Sequence, residues 1–309
     1  MEYRKYLGKY ASSEDVQSAI NDGELQKPYV ALVGNSIDYN TLNVATGYVG
    51  MPLTFEITSD GDIVWKAANT ANTITIEYKK NDGAWTEITS STGGTSISVV
   101  SGDTVQFRGD NATYTTTPDY NQFYNSFNGT TSGFIVYGNI MSMINSTNFA
   151  NITTLESAWT FSYLFSDCTG LTDASNLILP ATTLTDSCYA YMFQGCSNLT
   201  TAPVLPALTL VSGCYDGMFH YCSSLNYIKC LATTDITQGY YTTSWVEGVP
   251  NSGGGGSSDS SSSSSSSGSG GDEPVPFEGG TFVKHPDNES WGFGYSDIPE
   301  GWTVEDAVL

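Results

Sequence analysis

The sequence predicts a mainly β protein, in which a small N-terminal α/β appendage and a β-sandwich-like domain precede a short solenoid of repeats. Short alternating strands separated by turns fill residues 48–114. A segment containing Phe, Cys and Leu then recurs with a period of about 26 residues from residue 155 onward. The composition agrees, because 13% of the residues are aromatic and only 14% are charged, which is typical of β-rich, loop-rich chains.

Residues 1–48 form the N-terminal unit in this prediction. Ser12 and Ser13 can cap a short helix that ends near Asn21. The segment KPYVALV (27–33) alternates and is β-branched like a strand. We expect a strand, a helix and a strand here, and we interpret them as an attachment unit.

Residues 49–150 are predicted to form an immunoglobulin-like β-sandwich together with the N-terminal cap of the solenoid. Turn sequences such as SDGD and NDG separate candidate strands about every ten residues, as in small sandwiches. The candidate strands are PLTFEI (52–57), DIVWKA (62–67), NTITIEYKK (72–80), AWTEITS (84–90), TSISVV (95–100) and DTVQFRG (103–109).

Residues 151–250 carry the repeats. SCYAYMF (187–193) recurs as GCYDGMF (213–219), 26 residues later. A period in the twenties with recurring Leu indicates a leucine-rich-repeat solenoid, in which each coil supplies one strand and one short helix. Stacking of the coils then creates the core. The predicted repeat core consists of Phe165, Phe193 and Phe219, of Cys168, Cys196 and Cys222, and of Leu171, Leu199 and Leu225.

The six cysteines include no CxxC pair, so the common zinc and redox spacings are absent. Equivalent residues on stacked strands lie about 4.8 Å apart, which a disulfide can span. Small buried thiols also fill such columns. We favour free, buried thiols, because a disulfide at every step would strain a regular spiral.

The formal net charge of -22, from 32 acidic and 10 basic residues, repels phosphate backbones and anionic lipids. We therefore expect neither nucleic acid nor a membrane as a partner. The N-terminus lacks the apolar core of a signal peptide. Only His220 and His285 are available as bases, and neither has a metal partner nearby in the sequence. We predict no catalytic residue, no cofactor and no metal.

Positions that differ between otherwise matched repeats are the candidates for ligand contact, because such positions face solvent in solenoids. His220 in particular is expected to face solvent. Exposed Tyr side chains suit stacking on sugars or anchoring of proteins, and a plain solvated face is the alternative at each position. The candidate contact residues are Tyr191, Gln194, His220 and Tyr221.

The stretch LPATTLTDSCYAYMFQGCSNLTTAPVLPALTLVSGCYDGMFHYCSSLNYIKCLA (179–232) resembles the BspA-like leucine-rich-repeat family of surface and adhesion proteins from gut Bacteroidales and their phages. FRGDNATY (107–114) and FIVYGNIMSMI (134–144) resemble the β-domain that often precedes such repeats. KPYVALV with IDYNTL (37–42) is similar to the opening segments of phage virion proteins. The resemblance implies a role in binding or display.

The same resemblance implies a C-terminal β cap over residues 277–309, which completes the solenoid. The Gly- and Ser-rich residues 251–276 are predicted to be a disordered insertion between two halves of that cap. Closing this loop costs only about 1.5 kcal/mol more than closing a tight turn. The residues expected to share the core of the cap are Trp245, Phe282, Ile298, Trp302 and Val304.

These expectations lead to a non-enzymatic phage virion protein, acting as a head or tail fibre or a capsid decoration. Residues 1–48 are expected to dock on other virion proteins, and the solenoid to contact a host surface, mucin-type glycans or a surface protein. A dimer or trimer is expected, because fibres are commonly symmetric. A bacterial cell-surface adhesin is the first alternative. A glycan-cleaving virion enzyme, with two carboxylates brought together by folding, is the second.

Overall fold

The computed structural model describes residues 9–10, 32–33, 48–111, 124–250 and 279–308. Most of the N-terminal unit, including its predicted helix, and the Gly- and Ser-rich run of residues 251–276 lie outside the described residues. Of the N-terminal unit, Lys9 pairs with Leu32 and Tyr10 with Val33 in a two-stranded parallel sheet.

Fifteen β-strands and four short 3-10 helices make up the secondary structure of the described residues, which contain no α-helix. The prediction of a mainly β fold is confirmed. The 3-10 helices are Thr70–Asn72, Ile140–Met143, Phe149–Asn151 and Ile236–Gln238. The strands are β1 (Lys9–Tyr10), β2 (Leu32–Val33), β3 (Leu53–Ser59), β4 (Gly61–Ala67), β5 (Thr75–Lys80), β6 (Thr86–Thr89), β7 (Thr95–Val99), β8 (Thr104–Arg108), β9 (Asn125–Ser126), β10 (Gly133–Asn139), β11 (Leu171–Ile178), β12 (Thr201–Leu205), β13 (Tyr227–Cys230), β14 (Thr281–Lys284) and β15 (Thr303–Asp306).

Ten of these strands form one mixed sheet in the order β15-β14-β13-β12-β11-β10-β3-β8-β5-β6. Strand β10 is the junction, because it pairs antiparallel with β3 and parallel with β11. From β10 to β15, each strand pairs parallel with the next. The six strands predicted from alternation correspond to β3 through β8 and are confirmed.

A second sheet, in the order β7-β4-β9, faces the antiparallel part of the large sheet. Phe127 lies between the two sheets, since its ring centroid is 5.0 Å from Trp65 of β4, 4.8 Å from Phe55 of β3 and 4.9 Å from Phe107 of β8. One hydrophobic core extends from Leu53 to Trp302. The sheet and the core therefore continue across residue 150 without a break.

Each repeat coil combines its strand with a run of turns, and the predicted short helix is wrong. Along this run, every second amide donates to the next coil, as Phe165 N does to Met192 O at 2.9 Å. The intervening amides bond three residues back, as Cys168 N does to Phe165 O at 3.1 Å. An α-helix satisfies its amides internally, whereas these coils use half of theirs to join the stack.

The turn runs also place residues at positive φ four positions apart, at Tyr163 (60°) and Asp167 (55°) in the first coil. The side chains between these positions point inward. All nine predicted core residues have no exposed surface. The Phe column is stacked in register, with ring centroids 5.3 Å apart between Phe165 and Phe193 and 5.7 Å apart between Phe193 and Phe219.

All six cysteines are free and buried, as predicted. Three of their thiols donate to backbone carbonyls of the preceding layer, from Cys168 to Phe127 O at 3.3 Å and from Cys196 to Phe165 O at 3.0 Å. Cys222 makes the corresponding bond one layer on. The column therefore adds a hydrogen bond at each step of the stack, without a covalent link.

The C-terminal residues extend the parallel sheet, since β14 pairs with β13 and β15 pairs with β14. Trp245, Phe282, Ile298 and Trp302 are buried there, with at most 4% of their surface exposed. The prediction that Val304 shares this core is wrong, because 37% of its surface is exposed. Val304 lies beside Phe282 in register, but β15 is the edge strand of the sheet, and among the described strands none pairs with its outer side.

Candidate ligand-contact surface

The predicted contact residues all lie on the turn runs, on the side of the coils opposite the sheet. We call the outward side of residues 159–168, 187–196, 213–222 and 240–249 the turn face. Tyr191 and Gln194 lie on its second run and are partly buried. His220 and Tyr221 lie on its third run. The fold thus brings the four candidates onto adjacent layers of one surface.

Tyr191 is part of an aromatic stack on the turn face. Its ring lies 4.9 Å from that of Tyr163, which lies 4.5 Å from Tyr124. On the other side, a Cβ atom added to Gly217 would lie 2.2 Å from Tyr191 Cε1. Both ring faces of Tyr191 are therefore covered within the protein, and only its edge and hydroxyl group remain for a ligand.

His220 does not face solvent as predicted, because only 17% of its side chain is exposed. Its ring stacks on Tyr221 with centroids 4.0 Å apart. Its Nε2 atom lies 3.5 Å from Glu247 Oε2, but neither ring nitrogen makes a hydrogen bond within the part of the chain that the structure describes. The neighbouring coil covers this position, which comparison of aligned repeats does not reveal.

Two carboxylates complete this cluster, and the sequence did not single them out as contacts. The Tyr191 hydroxyl donates to Asp216 Oδ2 at 3.4 Å. Burial raises the pKa of the Asp216 carboxyl group, and the Tyr191 hydrogen bond and nearby His220 partly oppose this rise. Glu247 lies one layer beyond His220. The sequence did contain a signal that Asp216 lies near His220. The two residues are four positions apart, and turn-run positions four apart share a side.

Tyr221 is the most accessible of the four candidates, with 55% of its surface exposed. It has a positive φ of 59°, and its ring lies over Gly248, where an added Cβ would be 2.4 Å from Tyr221 Cδ1. The ring thus lies over the backbone at Gly248 and is stacked on His220. Such a rigid, half-exposed ring offers its remaining exposed surface and its hydroxyl group for contact with a ligand.

Sheet-face residues form a second polar cluster, which the sequence analysis also missed. Tyr48 and Tyr137 have ring centroids 5.0 Å apart. Burial and then Glu56 raise the pKa of Tyr137 to about 12. Cross-strand register shows that Glu56, Ile135 and Asp173 form one row across β3, β10 and β11.

Within the described ranges, no three His, Cys, Asp or Glu side chains are arranged to bind a metal ion. None of the described helices is long and apolar enough to span a bilayer. Comparison with protein-family models, with curated proteins and with solved structures found no match.

Proposed function

We propose that this protein is a non-enzymatic phage virion protein that displays its solenoid for adhesion to a host cell or glycan. The observation that carries the proposal is Tyr221, whose exposed ring lies over Gly248 and stacks on His220, and His220 in turn lies 3.5 Å from the Glu247 carboxylate. An exposed aromatic ring next to hydrogen-bonding groups is a common design of recognition surfaces.

Rigidity supports a display role. The turn face is joined layer to layer by backbone hydrogen bonds, among them Gly195 N to His220 O at 2.8 Å and Tyr221 N to Glu247 O at 2.7 Å. Side chains on such a scaffold lose little further freedom when they bind, which favours affinity. On this proposal the coils are leucine-rich repeats of the BspA-like kind, and the two facing sheets are an immunoglobulin-like spacer.

The virion assignment rests on the resemblance of the sequence and on residues 1–48 as the docking unit. Mass spectrometry of purified phage particles tests it, and detection at stoichiometric levels is the expected result. A protein lacking residues 1–48 should fold but not join particles. Finding the protein only on bacterial cells would favour the surface-adhesin alternative.

Adhesion is tested by binding of the purified protein to host cells and to mucin-type glycans. Tyr221→Ala should weaken binding about tenfold, which corresponds to about 1.4 kcal/mol. Tyr221→Phe, which keeps the ring, should bind nearly as well as the natural protein. If the natural protein shortens capsular polysaccharide chains, the glycan-cleaving alternative replaces the adhesion proposal.

A further inference from the structure

Exposed aromatic side chains are concentrated at the C-terminal end of the stack. In the part of the chain that the structure describes, the aromatic residues with large exposed fractions are Tyr240 (80%), Tyr295 (64%), Phe293 (58%) and Tyr221 (55%). The rings of earlier coils are instead stacked on one another. The last coil and its cap thus form the aromatic end of the molecule.

Tyr221 and Tyr295 lie on opposite sides of the last turn run. Tyr221 N donates to Glu247 O at 2.7 Å from the third coil, and Val246 N donates to Tyr295 O at 3.1 Å toward the cap. A side chain of the cap adds a further link, because Ser244 N donates to Ser296 Oγ at 2.9 Å. One continuous surface therefore leads from the turn face onto the cap.

A cavity of about 160 Å³ opens on this surface between Val246, Gly294, Tyr295, Pro299 and Glu300. We call it the cap notch. A cavity of about 150 Å³ holds a benzene-sized ring, so the cap notch can accept one six-membered ring. Gly294 leaves open space, since an added Cβ there would meet no atom within 4 Å.

The chemistry of the cap notch matches a sugar ring. Tyr295, with 64% of its surface exposed, offers an aromatic ring that suits the C–H face of a pyranose, and the buried Val246 and Pro299 form an apolar floor. Glu300 offers a hydrogen-bond acceptor for hydroxyl groups. No Lys, Arg or His lines the cap notch, and the chain carries a net charge of -22, so an anionic sugar would be repelled.

We propose that the cap notch is a binding subsite for one sugar ring of a neutral glycan. This inference rests on the proposed adhesive function and specifies its ligand class. Tyr221 then lies on the same surface, and a glycan chain bound in the cap notch can extend toward it.

The test uses the full-length protein and an array of neutral oligosaccharides with their sialylated and sulfated counterparts. We expect binding to neutral members, a loss of about tenfold in Tyr295→Ala and a smaller loss, about threefold, in Glu300→Gln. Tyr295→Phe should keep most of the affinity. Tyr240→Ala is the matched control, because it removes a still more exposed Tyr (80% against 64%) outside the cap notch and should bind normally.

Thermal unfolding of each variant verifies that folding is unchanged. Three results would overturn the proposal of a neutral-sugar subsite. They are stronger binding to sialylated or sulfated members, equal losses in Tyr240→Ala and Tyr295→Ala, and the absence of any neutral ligand at millimolar concentration. Those outcomes leave the display role standing if the protein is found on virions and Tyr221→Ala reduces adhesion to cells. Failure of both of these tests removes the proposed function itself.

Discussion

The indole Nε1 of Trp302 donates a hydrogen bond to the carbonyl oxygen of Pro250 at 2.8 Å, so residues on either side of the Gly- and Ser-rich run are in direct contact. Trp245 Nε1 makes a similar bond to Asp297 O at 2.6 Å, and β14 pairs with β13 along four residue pairs. The C-terminal residues are thus an integral part of the stack.

We predict that proteolytic cleavage within residues 251–271 leaves the C-terminal fragment bound to the rest of the protein. The sheet pairing and the two indole hydrogen bonds hold it without the peptide link. Size-exclusion chromatography under native conditions, followed by mass spectrometry, should find both fragments in one peak. Denaturant should separate them, and separation without denaturant would contradict the cap.

Replacing Trp245 should strongly destabilise the protein. Its fully buried ring follows Tyr215 and Phe219, the last members of two aromatic columns. The Trp245 ring centroid lies 6.4 Å from that of Tyr215, 5.9 Å from that of Phe219 and 5.5 Å from that of Trp291, on which it stacks. Trp245→Ala should lower the free energy of unfolding by about 3–5 kcal/mol, measured in urea. Tyr240→Ala, at a position 80% exposed, should change it by less than about 0.5 kcal/mol.

The six thiols should be unreactive in the native protein. Burial raises the pKa of every cysteine, to about 12 for Cys188 and Cys230, so almost no thiolate exists at pH 8. A thiol reagent should therefore detect no cysteine in the folded state. In denaturant without reductant it should detect all six, and fewer than six would indicate disulfides.

Gly217→Ala should destabilise the turn face. Gly217 has a positive φ of 56°, and its added Cβ would lie 2.2 Å from Tyr191 Cε1. Backbone strain and displacement of the ring should together cost about 1–3 kcal/mol. Gly50→Ala is the control, because an added Cβ there meets nothing within 4 Å. Equal thermal stability of the two variants would argue against the close Tyr191 contact.

Asp103 should make stability depend on pH in the acid range. A hydrogen bond from Lys80, with further bonds from Val100 N and Asn81, lowers its pKa from 3.8 to about 2. A lowered pKa in the folded state stabilises the protein above the unfolded value, and this stabilisation is lost as the pH falls from about 4 to about 2. Asp103→Asn should thus reduce the Tm at pH 7.

The difference in Tm between Asp103→Asn and the natural protein should shrink over that same pH range. Lys80→Met, which removes the main cause of the lowered pKa, should show the same dependence. A constant difference in Tm from pH 7 to pH 2 would assign the effect of the substitution to packing instead.

Local sequence signals were sufficient for the strands and for the buried columns. Alternation placed β3 through β8, because side chains in a strand point to opposite faces with a period of two. The repeat period placed Phe193, Cys196 and Leu199 in the core, because equivalent residues of stacked coils share one environment. Stacking of Tyr163 on Tyr191 could also have been predicted, since Tyr163 occupies the position of Tyr191 one repeat earlier.

The candidate surface was only partly predictable. Comparison of repeats identified Tyr221, but it treated His220 as solvent-facing and passed over Glu247 and Asp216 as contacts. Burial of His220 depends on the layer beyond it, and that layer is the last coil, which has no aligned repeat in the sequence. The cap notch is formed by Val246 and by residues 294–300, which are distant from it in the chain. A local sequence pattern therefore cannot predict the cap notch.

By itself, the sequence determined that this chain is mainly β, that it carries stacked coils and that Cys168, Cys196 and Cys222 form a core column. Only the tertiary structure decided that the coils are hydrogen-bonded turn runs without helices, that β10 joins both parts in one sheet, and that Val304 stays exposed. The reason is that alternation and period are properties of neighbouring residues. Hydrogen bonds between coils, such as Phe193 N to Met218 O at 2.9 Å, depend instead on which layers meet.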